Sequence, residues 1–71
     1  MRRIIDDEGG IWDVMLGKES WGTLVLLFSP IGGGQVRKSV LQSETSLAAS
    51  SELDAMDDVQ LRARLRESSP W

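Results

Sequence analysis

Between Gly22 and Pro30 the chain runs Thr-Leu-Val-Leu-Leu-Phe-Ser, and its middle is apolar without alternation. A short apolar run bounded by glycine and proline suits a strand buried on both faces. Such a strand belongs at the centre of a sheet, with a neighbour on each side. Proline cannot donate to a ladder, so Pro30 ends it.

The flanking segments read as those neighbours. Arg2 to Ile5 is short and β-branched at its end. Asp6-Asp7-Glu8-Gly9-Gly10 follows and has turn composition. Ile11 to Leu16 places Trp12, Val14 and Leu16 on one uniformly apolar face, which is assigned to the core. The connection suits a hairpin with a left-handed glycine. Gly17 to Gly22 is read as the next turn, and Gly32-Gly33-Gly34 as a flexible one. Val36 to Leu41 mixes polar and apolar positions, as a strand with one wet face does.

At Ser43 the period changes. Thr45 or Ser43 can cap a helix through about Ala55, in which Ala49, Leu53 and Met56 share a face. Asp57 with Gln60 has capping-box spacing, and Met56 and Leu61 are placed as a hydrophobic staple. Leu61 and Leu65 share the next helix's inner face. Asp57 and Asp58 at its start and Arg62, Arg64 and Arg66 toward its end complement the helix dipole. Strands followed by helices predict an α+β fold. The expectation is one domain over residues 1–71. An antiparallel meander of three to four strands occupies about 2–43, and two helices over about 45–67 pack on one face. The other face stays open unless a second subunit covers it.

Seventy-one residues without cysteine or histidine exclude disulfides, thiolate metal sites and imidazole ligands. No cofactor and no metal are expected. A chain this short buries only roughly 60% of its unfolded surface, so its stability is modest or shared with a partner. The net charge of −3 leans against a general nucleic-acid binder, which carries a basic face. The longest apolar run, Leu24 to Phe28, is far shorter than the roughly 20 residues needed to span a bilayer. The N-terminal residues lack a signal-peptide pattern. The expected location is the cytoplasm, with no membrane association.

The chemistry-bearing motifs are weak. Gly17-Lys18 continues into Glu19, and Trp12 stands where a Walker loop has its first glycine, so a polar turn is preferred to a phosphate cradle. Gly32-Gly33-Gly34 lacks dinucleotide-loop spacing and opens no helix. Asp6, Asp7, Glu8 and Asp13 do not follow a calcium-loop pattern and read as a solvated turn. The serines have no histidine base, and an enzyme is not expected.

Aromatic residues carry more. Trp12 and Phe28 fall on core faces. Trp21 lies in a turn between glycines, and its indole either caps the small core or meets a partner. The favoured function is a small non-enzymatic protein-interaction or regulatory module, in a self-associating or homodimeric form or with a protein partner. Trp21 and its neighbour Glu19 are the expected contacts. The alternative is a nucleic-acid-associated regulator using Arg62, Arg64 and Arg66, with Arg2 and Arg3 in support. No small-molecule ligand can be inferred.

Overall fold

A computed structural model describes residues 2–71. It contains β1 (Arg2–Ile5), β2 (Ile11–Lys18), β3 (Leu24–Pro30), β4 (Arg37–Val40), α1 (Ser46–Ala55), α2 (Asp58–Arg66) and β5 (Ser69–Pro70). The strands form one antiparallel sheet in the order β1-β2-β3-β4-β5, and the fold is α+β.

β3 is the central strand, as its apolar run requires, and Leu24, Val25, Leu26 and Phe28 are all buried. Its register sets the two faces of the sheet. Val14 pairs with Phe28 and Leu16 with Leu26, while Ile4 pairs with Trp12. These residues lie on the helix side and join Leu41, Ala49, Leu53, Leu61 and Leu65 in the core, with Met56 packed against it. The opposite face carries Ile5, Ile11, Met15, Val25, Leu27, Lys38 and Val40 by the same alternation. No helix covers it.

Local chemistry fixes the elements. Thr45 caps α1 by accepting from the Ala48 amide at 3.1 Å. The capping box of α2 is complete, with Asp57 accepting from the Gln60 amide at 2.8 Å and Gln60 from the Asp57 amide at 3.0 Å. Each helix turns two residues inward, Ala49 and Leu53 from α1 and Leu61 and Leu65 from α2. Among the described residues, no helix is long and apolar enough to cross a membrane.

Two expectations need correction. The sheet has five strands rather than three to four, because Ser69–Pro70 returns after α2 and pairs with Arg37 and Lys38 of β4. Arg37 enforces this return: its guanidinium donates to Ser68 Oγ at 2.8 Å and to the Ser68 carbonyl at 2.6 Å. A helix-terminating Ser-Ser-Pro thus becomes an edge strand through a nonlocal contact. Second, Gly17 and Lys18 belong to β2 rather than to a turn. Gly17 pairs with Val25, and Leu27 leans over the space left by its missing side chain. The turn itself is Glu19–Gly22, closed by the Gly22 amide donating to the Glu19 carbonyl at 2.8 Å.

Candidate protein-interaction surface

The Glu19–Gly22 turn presents Trp21. Gly22 takes a positive φ of 96°, a conformation glycine adopts without strain, and the turn is fixed at both ends. The Glu19 amide donates to the Thr23 carbonyl at 2.9 Å. Trp21 does not fold back over the core: it is 74% exposed. The last residue, Trp71, comes to the same region. Its amide donates to the Val36 carbonyl at 2.9 Å, extending the line of β5, and its ring is half exposed.

Between the two tryptophans lies a shallow cleft of about 250 Å³ lined by Lys18, Glu19, Ser20, Trp21, Lys38 and Trp71. Glu19 is buried rather than presented beside Trp21. Its carboxylate accepts from Lys38 Nζ at 3.1 Å, and the same ammonium stands 5.7 Å from the centroid of the Trp71 ring. Lys38 is therefore held between a carboxylate and an aromatic face, a charge-assisted hydrogen bond on one side and a cation–π contact on the other. The pair reaches from the end of β2 to β4, over the central strand. This explains how Val25, on the face no helix covers, is fully buried.

The acidic turn between β1 and β2 has a structural task. Asp6 Oδ1 accepts from the Glu8 amide at 2.9 Å and the Gly10 amide at 2.7 Å. Its Oδ2 accepts from the Trp12 indole at 2.8 Å. The Trp12 bond first, and the Gly10 amide next, hold the Asp6 carboxyl below the usual carboxylate range. Asp6 is thus the organiser of the hairpin, not one of four solvated acids. Asp13 faces the open side of the sheet and pairs with Arg3 at 2.9 Å. Among the described residues, no group of three acidic side chains is placed to hold a metal ion.

The arginines are divided rather than assembled. Arg62 donates to the Ile5 carbonyl at 3.4 Å, and Arg66 pairs with Asp7 at 2.9 Å. Arg64 turns the other way, donating to Ser39 Oγ at 3.3 Å and the Val40 carbonyl at 3.2 Å. It also lies 3.6 Å from Glu52. Arg2 pairs with Asp58 at 2.9 Å on the helix side, while Arg3 occupies the opposite face. Arg62 and Arg64 occupy carbonyls near the outer edges of β1 and β4, where an open sheet otherwise offers itself to another strand. A cleft of about 240 Å³ between the β1–β2 turn and α2 sets Asp6, Asp7 and Glu8 against Arg37, Arg62 and Arg66. Its charges balance.

The sequence leaves open whether Trp71 packs on the helices or meets a partner; the pairing of β5 with β4 brings it instead to the sheet edge beside Val36. The sequence does not single out Lys38 as a site residue, because its place opposite Glu19 is set by β4 pairing with β3. Asp6 left a readable signal, an aspartate two and four residues before hydrogen-bonded amides in a glycine-containing turn. No family model matches the chain, and no curated protein or solved structure matches it.

Proposed function

We propose that this chain is a non-enzymatic protein-interaction module whose contact surface is the Trp21–Trp71 cleft with the adjoining open face of the sheet. The observation that carries this reading is the exposure of Trp21, at 74%, on a turn with fixed geometry. A large ring kept in water adds little to folding, whereas buried against a partner it supplies much area for little lost rotamer freedom. Trp71 stands across the same cleft, and Lys38, paired with Glu19, lies 5.7 Å from the centroid of its ring. Glu19 acts here by orienting Lys38, and Trp21 is the direct contact.

The non-catalytic part of the proposal rests on the residue types present. The chain has no histidine or cysteine, so no serine has an imidazole base and no thiolate is available. The nucleic-acid alternative draws less support. Arg62, Arg64 and Arg66 already serve carbonyls and carboxylates of the same chain, and a phosphate would have to displace those partners.

The test is capture from native cell extract with tagged wild-type protein and tagged Trp21→Ala, each split into nuclease-treated and untreated halves. Protein retained by the wild type after nuclease and lost with Trp21→Ala supports the module. A catch that disappears with nuclease and ignores Trp21→Ala contradicts it and moves the arginines of α2 to the front.

A further inference from the structure

The face of the sheet that no helix covers is ordered in rows. Ile5 pairs with Ile11, and the Ile31 amide donates to the Ile11 carbonyl at 2.9 Å, so three isoleucines cross the sheet side by side. Arg3 and Asp13 make the next row. Met15, Leu27 and Lys38 follow, then Gly17, Val25 and Val40 in order across β2, β3 and β4. Ile5, Ile11, Ile31, Val40 and Trp71 are each between 41% and 56% exposed.

We infer that the partner on this face is a second copy of the chain, packed sheet against sheet about a two-fold axis. This rests on the reading of the molecule as an interaction module and names its partner. Two observations favour a like partner. The first is charge. The chain carries −3 overall, which opposes self-association in general. The ionic groups of this face, however, are matched within it, Arg3 with Asp13 and Lys38 with Glu19. Two copies meeting here bring together surfaces of no net charge, and covering them strands no unpaired ion. The carboxylates of α1 and α2 lie behind the sheet, and the acidic Asp6–Glu8 turn borders the patch at Ile5 and Ile11.

The second is area. The five exposed residues together leave on the order of 450 Å² in water, most of it apolar. A standard interface takes about 800 Å² from each partner, somewhat over half of it apolar. The face thus supplies about what one side of a stable dimer needs. Sheet-on-sheet packing places the two layers about 10 Å apart with strands crossing at about 30°. The helices then lie outermost, and each two-layer unit gains the cover that its second sheet face lacks. A two-fold axis suits a single self-complementary patch, since each copy presents the same surface.

The test is sedimentation equilibrium of the full chain from about 1 µM to 1 mM, for the wild type, Ile11→Lys and Ile31→Glu. Far-ultraviolet circular dichroism melts confirm folding of each. Ile31 sits on the turn after β3, so its replacement spares the ladder. The expected mass rises toward twice the 7.9 kDa of the chain for the wild type. Each variant is expected to stay folded with at least about a 100-fold weaker association, since a charge would be buried without a partner. A wild type that stays at 7.9 kDa throughout overturns the inference. A dimer that resists both substitutions also overturns it, because its contact lies elsewhere. A monomeric wild type leaves the capture with Trp21→Ala to decide the module reading separately.

Discussion

Glu19 and Lys38, nineteen residues apart in the chain, meet at 3.1 Å in an ion pair that reaches across the central strand. Their side chains are only 8% and 25% exposed, so this is not a solvated surface contact. It shields Val25 and keeps Lys38 under the Trp71 ring. Glu19→Ala leaves a largely buried ammonium without its carboxylate and is expected to destabilise by about 1–3 kcal/mol. The double variant Glu19→Leu/Lys38→Met removes both charges and is expected to recover part of that loss. Urea unfolding of the three proteins measures the difference.

Gly17→Ala tests the packing of the open face directly. A Cβ at Gly17 would stand 2.5 Å from Leu27 Cδ1 and 2.8 Å from Leu27 Cγ. Leu27 must leave its position, and the expected cost is about 1–3 kcal/mol. A Leu27→Ala/Gly17→Ala pair is expected to cost less than the sum of the single changes, which denaturant titrations check as a double-mutant cycle.

The Asp6 hairpin gives a pH-dependent term. The folded-state carboxyl is held low, first by Trp12 and then by Gly10. Its contribution is therefore present above the ordinary carboxylate range and is lost as pH falls through the lowered folded-state value. Asp6→Asn turns an amide N–H toward the Trp12 donor and is expected to lower the melting temperature at neutral pH. The gap between wild type and variant is expected to shrink between about pH 5 and pH 2. Paired thermal melts over that range measure it.

The α2 capping box is expected to behave as an ordinary cap. Asp57→Ala frees the Gln60 amide that Asp57 now satisfies, at an expected cost of about 1 kcal/mol. Urea midpoints at constant slope check this value.

What was legible in the sequence was what local patterning controls. The unbroken apolar run identified β3 as central, the change of period at Ser43 separated strands from helices, and Asp57 with Gln60 located the start of α2. What was hidden depends on residues far apart in the chain. Ser69–Pro70 is a strand only because Arg37 binds Ser68, and no two-residue segment announces that. Gly17-Lys18 has the composition of a turn, yet it lies in β2 because Leu27 fills the space beside Gly17. At the candidate surface, the sequence placed Trp21 in a turn between glycines but left open whether its ring caps the core or meets a partner, since that depends on the path of the turn over the sheet. Glu19 looked like its exposed neighbour because the partner that buries it, Lys38, lies two strands away.

The unfolding free energy of Trp21→Ala, measured by urea titration at low micromolar concentration, tests most directly whether Trp21 is held out for a partner. An indole 74% exposed on a rigid turn is expected to be dispensable for folding, with a change within about 0.5 kcal/mol. A loss above about 2 kcal/mol would show that the ring is part of the core in solution, and would contradict Trp21 as the contact residue.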